Sequence, residues 1–378
     1  MSTPTHFGGQ QRQTVDVAII GGGIVGLFTA FLLARSGRRV ALFEQGEIWS
    51  EASAVNAGSL GVQNKLNPLV PYTLWSWEIW QKLATEFGMD AAVKRSGGYK
   101  IALTDEEAER LEHSAAEQAR LGLTVEMLTR KQIEKQAPWL SAEVTAAAYS
   151  PDDGSASPTK MGPALAKAAQ ACGVQIFSRT PVCDINPGSR VEINTSEGIY
   201  FASQLAITTG AWTQGVGAML GATLPVELDV NMVTVTEPAA FTIGGLVSHA
   251  RGILTLKQVA NGSCLIGGGW QGVGTLEDRR KDIDHDQLVQ NIRLALQVVP
   301  GLRQLNALRS WAGYEGVTPD SLPYIGHVGG QDNIFVAACA RGGFTLGPAM
   351  ARLLSELMSK GRTTLPIDIF DPARFEND

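Results

Sequence analysis

Apolar and polar positions in the first forty residues follow two different periods. The β-branched run at Val15, Val17, Ile19 and Ile20 predicts a buried strand, and the apolar stretch IVGLFTAFLLAR predicts a helix that ends at Arg35. The segment from Arg39 to Phe43 then reads as a second strand. Three glycines separate the first strand from the helix, so the predicted order is strand, glycine turn, helix, strand.

The glycine turn, Gly21-Gly-Gly23-Ile24-Val25-Gly26, indicates a dinucleotide site. Gly21 permits a tight turn, Gly23 lets the backbone approach a pyrophosphate, and Gly26 lets the helix pack close to the strand. The phosphates would face the helix N-terminus, where N–H groups are unpaired and the dipole is positive. Glu44 ends the second strand, where a carboxylate can accept both hydroxyls of an adenosine ribose. The alternative is a membrane span of about 20 residues, which Asp16 and the clustered glycines disfavour.

A long segment after Glu44 is rich in small residues and has little regular periodicity, which is typical of a functional loop. It can bring backbone N–H groups and hydroxyls to a bound ring or sugar at Ser53, Asn56, Ala57, Gly58 and Ser59. The alternative is a surface loop that uses Asn and Gly for turns.

The next segments predict helices and a second module. Trp75, Trp77 and Trp80 recur at helical spacing between Tyr72 and Phe87, which favours core or interface anchors over cofactor contacts. The stretch SGGYKIALTDEEAERLEHSAAEQARLG predicts a strand followed by an exposed helix, capped by Thr104 with Glu107 three residues on. A different module begins there.

Strand patterns dominate the middle of the chain. Val182 lies where a strand could pack on an adenine face, and the strand that stops at Thr208-Thr-Gly210-Ala-Trp212 suits a second backbone approach to the dinucleotide. From Leu224 to about Trp311, alternating patterns such as VNMVTVTEP predict half-buried antiparallel strands and a substrate domain. The C-terminal part returns to the nucleotide unit with the strand NIFVAACA and a glycine turn before a helix.

Composition narrows the class of protein. The 378 residues, 44% hydrophobic and 18% charged, suit a globular chain of two domains. A net charge of −6 and the lack of a basic stripe exclude nucleic acid as an expected partner. Four scattered cysteines predict no metal or iron–sulfur site. Residues 1–13 lack the apolar core of a signal peptide, so we expect a loose leader on a cytoplasmic protein without a membrane span.

The motifs VDVAIIGGGIVGLFTAFLLARSGRRVALFE, SAVNAG, AITTGAWT, TPDSLPYIG and RGGFTLGPAMARLL together resemble the D-amino-acid oxidase superfamily of flavoproteins. The resemblance extends to the closing PIDIFDPARF. It implies an α/β fold with a Rossmann-type, glutathione-reductase-like FAD-binding domain and an α+β substrate domain built on an antiparallel sheet. The FAD-binding domain would comprise 14–85, 150–222 and 317–378, and the substrate domain 86–149 and 223–316.

The same resemblance implies non-covalent FAD, since the early loop has no His or Cys for attachment. It places the following residues at the cofactor: Gly21, Gly23 and Gly26 at the pyrophosphate, Glu44 at the ribose, Ser53, Asn56, Ala57 and Gly58 by the ribityl and flavin, Val182 and Gly210 by the adenosine half, and Arg341, Gly342, Gly343, Phe344 and Thr345 along the isoalloxazine. Ile24, Val25 and Trp212 are further residues expected to bind the cofactor. A helix starting near Leu346 would point its N-terminus at the flavin and stabilise the negative charge of its reduced form.

One departure from the superfamily concerns the substrate carboxylate. Relatives usually read W-x-G-x-R before TPD, and that Arg pairs with the carboxylate, whereas this chain reads Trp311-Ala-Gly-Tyr314-Glu315. Either another cation, Arg341 or Lys257, takes the carboxylate, or Glu315 binds a positive group such as a guanidinium. A third possibility is that Glu315 only caps a turn. A second departure is Cys339, which replaces a common His and is expected to be small and buried.

A narrower resemblance, carried by NAGSLGVQNK and the replaced Arg, is to β subunits of heteromeric dehydrogenases for opines, D-hydroxyproline and proline. It implies an amine or opine substrate, partner subunits with further redox cofactors, an additional FMN at an interface, and electrons passed on to the membrane quinone pool. The expected reaction is hydride transfer from a substrate Cα–H to flavin N5, with hydrolysis of the resulting imine. The pocket candidates are Tyr314, Glu315 and Arg341, then His249 and Lys257.

Two other functions stay open on the sequence. One is a stand-alone D-amino-acid or glycine oxidase or dehydrogenase, which would need a carboxylate-binding Arg from elsewhere. The other is an assembly subunit in which FAD is structural, a reading disfavoured by the intact motifs around the expected flavin ring.

Overall fold

The computed structural model of the protein describes residues 12–338 and 341–376. The expected leader up to residue 11 and the expected burial of Cys339 lie outside the described residues. Strand β1 already includes residues 12 and 13, where Arg12 pairs with Ile199, so this strand reaches two residues into the expected leader.

Two large sheets and the helices packed on them make up the described chain. The helices are α1 (Ile24–Arg35), α2 (Ala52–Val55), α3 (Val70–Phe87), α4 (Asp105–Arg120), α5 (Arg130–Gln136), α6 (Pro158–Ala171), α7 (Thr213–Ala218), α8 (His285–Val298) and α9 (Gly343–Lys360). The strands are β1 (Arg12–Ile20), β2 (Val40–Phe43), β3 (Ser59–Leu60), β4 (Gly98–Ala102), β5 (Glu126–Leu128), β6 (Ala146–Ser150), β7 (Gly154–Ser155), β8 (Gln175–Phe177), β9 (Val182–Asn186), β10 (Val191–Thr195), β11 (Gly198–Ile207), β12 (Glu227–Pro238), β13 (Leu246–His249), β14 (Thr255–Gln258), β15 (Ser263–Gln271), β16 (Val273–Gly274), β17 (Lys281–Asp282), β18 (Ala307–Val317), β19 (Tyr324–Val328) and β20 (Gln331–Ala338).

The first sheet contains the strand order β19-β20-β11-β1-β2-β8, and β10 and β9 extend it beside β11. β1 pairs in parallel with both β11 and β2, so the carboxyl ends of these three strands, at Ile20, Ile207 and Phe43, meet at one edge. In open α/β sheets this edge is where ligands bind. The βαβ unit predicted from the apolar pattern is confirmed.

The second sheet has the order β18-β12-β15-β14-β13-β4-β6-β5. Its neighbours are antiparallel except for β13 and β4, which run parallel. The antiparallel prediction therefore holds for the sheet with that one exception. No hairpin connects β4 to β13, so the connection between them does not require the antiparallel direction.

Helices α1, α3 and α9 bury their apolar faces in one core against the first sheet. Trp77 and Trp80 lie in this core, with 3% and 0% of their surfaces exposed, which confirms the core interpretation for these two. Trp80 donates its indole N–H to the carbonyl of Thr345 at 3.0 Å. α3 thus fixes the start of α9, which begins at Gly343, earlier than predicted, because Gly342 (φ +65°) turns the chain there.

No helix in the described part of the chain combines the length and apolarity needed to cross a membrane.

Candidate functional site

A cavity of about 740 Å³ is lined by residues of both sheets. On one side are the glycine turn after β1, the loop after β2 and the start of α9. On the other are residues of β12, β15 and β18, with the loop between β13 and β14. The cavity therefore joins the edge that suits a nucleotide to a wall of the second sheet.

Two glycines of the turn, Gly21 and Gly26, have no room for a side chain. A Cβ on Gly21, whose φ is +105°, would lie 2.4 Å from the carbonyl oxygen of Thr208, and one on Gly26 would lie 2.0 Å from the carbonyl oxygen of Gly21. Gly21, Gly23, Ile24 and Val25 line the cavity, whereas Gly26 packs behind it. The N-terminus of α1, the positive end of its dipole, thus lies at the cavity, where it favours a phosphate.

Glu44 is held against this turn. One carboxylate oxygen accepts the N–H of Gly22 and the other accepts the N–H of Gly46, both at 2.8 Å. Each oxygen retains a further lone pair for a ribose hydroxyl. The carboxylate lines the cavity at the end of β2, as a ribose ligand must.

The loop after β2 both contacts the cavity and uses Asn and Gly for turns, the two alternatives predicted for it. Ser53 Oγ accepts the N–H of Ile24 at 2.9 Å, which ties the loop to the start of α1. Asn56 holds its own turn, since its oxygen accepts the N–H of Gly58 at 2.7 Å. This turn chemistry presents Ala57 and Gly58 to the cavity.

The remaining residues expected at the cofactor also line the cavity: Val182, Gly210, Trp212, Arg341, Gly342, Gly343, Phe344 and Thr345. Val182 begins β9, and Gly210 begins a short 3-10 turn that ends at Trp212. The ring of Trp212 meets that of Tyr314 edge-on, with centroids 5.9 Å apart. Residues remote in sequence are therefore brought to one cavity.

Two orphaned polar atoms test whether a dinucleotide fits. Ser59 Oγ and Asn64 Oδ1 are buried, have no hydrogen-bond partner within the described chain, and belong to residues that line the cavity. Buried polar groups normally have partners. A polar ligand in the cavity would supply them, so the glycine turn, the paired carboxylate and these atoms together fit FAD.

Glu315 is already engaged by the protein. Its Oε1 accepts the N–H of Gly342 at 2.7 Å, and its Oε2 accepts the side-chain amide of Asn231 at 2.6 Å. Burial raises the pKa of this carboxyl, while the Gly342 N–H and the charges of Lys65 and Arg341 oppose the rise. The carboxylate lines the cavity and at the same time anchors the turn before α9.

Arg341 and Tyr314 also have partners inside the protein. The guanidinium of Arg341 lies 2.6 Å from a carboxylate oxygen of Asp229. The hydroxyl of Tyr314 lies within hydrogen-bonding distance of the carbonyls of Thr275 and Arg280. Tyr314 lines the cavity, but its hydroxyl is already engaged by the protein.

His249 and Lys257, the two less central pocket candidates, are not part of the cavity wall. His249 is fully buried, with Nε2 3.2 Å from Glu107, and burial lowers its pKa. Lys257 lies behind Gly58, where a Cβ on that glycine would meet its Nζ at 3.1 Å. Burial lowers the pKa of Lys257 to about 7. The structure thus places both side chains in the protein interior, in β13 and β14, and not among the residues that line the cavity.

Two cations that the sequence analysis missed do line the cavity, Lys65 and Arg251. The ammonium of Lys65 donates to the carbonyl of Gly342 at 3.1 Å, and burial lowers its pKa to about 8. Arg251 lies in the loop between β13 and β14. The sequence offered only a weak signal for Arg251, a basic residue next to a glycine between two short strands.

Within the described residues no group of His, Cys, Asp and Glu could hold a metal ion.

Comparison with known proteins gives the family. Residues 16–357 match the family of FAD dependent oxidoreductases. Glycine oxidase of Geobacillus kaustophilus is 33% identical over 372 residues, covering 95% of this chain and 97% of that one. A chain of the opine oxidase of Rhizobium meliloti, named as one of its subunits, is 27% identical over 376 residues, covering 96% and 98%. The crystal structure of the Geobacillus kaustophilus glycine oxidase superposes with a TM-score of 0.89 at 30% identity, covering 96% of this chain and 99% of that one.

These findings confirm the α/β fold with a Rossmann-type FAD-binding part. They also account for the glycine turn, for Glu44 and for a cavity that fits FAD. This chain is an FAD-dependent enzyme and belongs to the D-amino-acid oxidase family of FAD dependent oxidoreductases.

Proposed function

We propose that this chain is the catalytic subunit of an opine-type amine dehydrogenase. The observation that carries the proposal is the cavity that joins the glycine turn to a wall of the second sheet. Such a cavity lets a flavin and an amine meet away from bulk water. The likeness to the opine oxidase chain of Rhizobium meliloti along nearly the whole length supports the choice of substrate class.

The residues proposed to hold FAD without a covalent bond are those of the glycine turn, Glu44, the loop from Ser53 to Gly58, and the start of α9. Bound flavin supplies an acceptor for the hydride that leaves the substrate Cα. The amine nitrogen loses its proton as that hydride leaves, and water hydrolyses the resulting imine to an amine and a keto acid. The protein's own task is to orient the amine and exclude water, which positioning can reward with several kcal/mol.

A neutral amine needs no strong base in this arrangement. The carboxylate of Glu315, which lines the cavity, already accepts two N–H groups from the protein. Its expected role of binding a substrate guanidinium is therefore a separate proposal. The hydrogen bond by which this carboxylate fixes the turn at Gly342 is enough to explain an acid at position 315.

A second candidate function is oxidation of glycine, a D-amino acid or D-hydroxyproline by a stand-alone enzyme. The 33% identity with glycine oxidase favours it. It requires a cation elsewhere in the site to bind the substrate carboxylate, because residue 315 is a glutamate. A role as an assembly subunit with structural FAD is the third candidate, and a flavin that no amine reduces would favour it.

We also propose partner subunits that carry further redox cofactors, including FMN at an interface. The similarity to a protein named as a subunit supports this proposal, as does the half-buried Trp75 beside a surface groove on α3. A purified chain that is monomeric, flavin-loaded and fully active would contradict it.

The test of the proposed function is anaerobic bleaching of the flavin absorbance of the purified protein. Octopine, nopaline, D-hydroxyproline, proline, glycine and D-alanine are added in turn. Fast bleaching by octopine or nopaline is the expected result. Bleaching by simple amino acids alone would move the chain to the second candidate function, and no bleaching by any amine would move it to the third.

A further inference from the structure

Arg251 lies at the tip of a tight hairpin on the second-sheet side of the cavity. The hairpin is closed where the N–H of His249 donates to the carbonyl of Leu254 at 3.2 Å and the N–H of Gly252 donates to the carbonyl of His249 at 2.8 Å. The indole N–H of Trp270 donates to the carbonyl of Ile253 at 2.7 Å and holds the tip from the next strand. The backbone that carries Arg251 is therefore fixed at both ends and at its tip.

Glu107 orients the side chain of Arg251. The guanidinium Nε lies 2.9 Å from Glu107 Oε1, and Glu107 is itself only 7% exposed. Its other oxygen accepts the N–H of Leu103 at 2.9 Å and lies 3.2 Å from His249 Nε2. Since His249 Nδ1 accepts the N–H of Arg251 at 3.2 Å, the neutral ring carries its proton on Nε2, facing Glu107. Three groups thus converge on one carboxylate that holds only the inner edge of the guanidinium.

The outer edge of this guanidinium is free to bind an anion. Among the described residues, the structure records no hydrogen bond or ion pair of the Arg251 side chain other than that to Glu107. Arg251 is one of the residues that line the cavity, and its side chain is 57% exposed. Two terminal nitrogens presented together match the two oxygens of a carboxylate.

The other cationic side chains near the cavity either have partners inside the protein or lie away from the cavity wall. One terminal nitrogen of Arg341 lies 2.6 Å from a carboxylate oxygen of Asp229, so that end of its guanidinium already faces an acid. The ammonium of Lys65 already donates to the carbonyls of Arg341 and Gly342. Lys257 lies outside the wall. Arg251 is thus the cavity cation whose paired donors have no recorded partner within the described chain.

We propose that Arg251, oriented by Glu107, binds the carboxylate of the substrate. The inference rests on the proposed function, because it takes the substrate to be an amine that carries a carboxylate. It supplies the cation that is missing where Glu315 stands. It also makes the hairpin between β13 and β14 the element that selects the substrate.

The test uses the FAD-loaded protein and the variants Arg251→Gln and Arg251→Lys. The binding of benzoate, a carboxylate that cannot donate a hydride, is measured from the perturbation of the flavin spectrum. Anaerobic flavin reduction is measured with two matched pairs, proline with pyrrolidine and glycine with methylamine, in which one member lacks the carboxylate. Arg110→Gln is the control, since Arg110 is an exposed arginine paired with Glu106 on the helix that carries Glu107.

For Arg251→Gln we expect the dissociation constants of benzoate and of the carboxylate-bearing amine to rise roughly 10- to 100-fold. The limiting rate of reduction should change much less, the amines without a carboxylate should be unaffected, and Arg251→Lys should recover part of the affinity. Unchanged benzoate binding in Arg251→Gln would overturn the proposal. An equal loss for amines with and without a carboxylate would overturn it as well, since that indicates a merely structural role.

The benzoate measurement separates this proposal from the proposed function. If no amine reduces the wild-type flavin, the proposed function fails, while benzoate binding still reports whether Arg251 holds a carboxylate. If amines reduce the wild-type flavin and Arg251→Gln behaves like the wild type, only the role of Arg251 fails. Should Arg251→Gln not fold, the comparison rests on Arg251→Lys, which keeps the charge but loses the bidentate geometry.

Discussion

Replacing Glu315 with Gln should break a hydrogen-bond chain whose direction is fixed. The N–H of Val230 donates to Gln271 Oε1 at 2.7 Å, so the Gln271 amide nitrogen must face Asn231 Oδ1, at 3.1 Å. The Asn231 amide nitrogen then donates to one oxygen of Glu315 at 2.6 Å, and the N–H of Gly342 donates to the other at 2.7 Å. Since a backbone N–H can only donate, residue 315 has to accept at both atoms.

Glutamine has one oxygen that accepts and one NH2 group that only donates. In Glu315→Gln one orientation therefore places the NH2 against Asn231 and the other places it against Gly342. Either leaves a part-buried donor without its acceptor, and a buried donor left unpaired costs about 1–3 kcal/mol. The neutral side chain also loses its attraction to Lys65 and Arg341, both of which act on Glu315. We expect unfolding to become easier by about 2 kcal/mol and the midpoint of thermal unfolding to fall by a few degrees, with weaker retention of FAD because Gly342 precedes α9.

Thermal unfolding followed by flavin fluorescence measures both effects. Glu277→Gln, which removes an acid that has no recorded buried partner in the described chain, controls for the change in net charge. A double-mutant cycle with Asn231→Ala and Glu315→Ala should give a coupling free energy of about 0.5–3 kcal/mol. A Glu315→Gln protein as stable as the wild type, which binds FAD normally and loses only its reduction by octopine or nopaline, would refute this reasoning and show that the carboxylate faces a substrate guanidinium.

The remaining predictions concern the glycine turn and a buried lysine. In Gly26→Ala the new Cβ would lie 2.0 Å from the carbonyl oxygen of Gly21, so the protein should purify with little FAD, as read from its visible to ultraviolet absorbance ratio. Gly244→Ala, where the nearest atom is 3.8 Å away, should keep the cofactor, and equal loading of both variants would contradict the steric argument. Lys257→Met should be more stable than the wild type, because burial lowers the Lys257 pKa from 10.5 to about 7 and the charged form is costly inside. The unfolded chain binds a proton on this lysine between those two pH values and the folded chain does not, so wild-type stability should rise with pH across that window. In urea unfolding, the advantage of Lys257→Met should therefore be largest at pH 7 and below, at most about 5 kcal/mol, and should fall to near zero only once the pH exceeds 10.5; an advantage independent of pH would contradict it.

The sequence determined the features that depend on short stretches of backbone. The glycine turn and α1 follow from a run of apolar residues interrupted where side chains cannot fit, and Glu44 follows from its position at the end of β2. The cap of α4 follows from Thr104 and Glu107, three residues apart, and the N–H of Glu107 does donate to the Thr104 hydroxyl at 3.2 Å. Each of these features depends on interactions between residues that are close in sequence, so the local sequence is sufficient to predict it.

Only the tertiary structure decided which charged side chains face the cavity. Lys257 and Arg251 lie six residues apart on one hairpin, yet the packing of β14 behind Gly58 buries the first while the tip of the loop presents the second. Glu315 reads in the sequence as an acid where a cation is expected, and its actual partners, Asn231 and Gly342, come from other strands and turns. The number and direction of such long-range contacts depend on how the two sheets meet. That arrangement is set by the burial of whole sheet faces, which local periodicity does not specify.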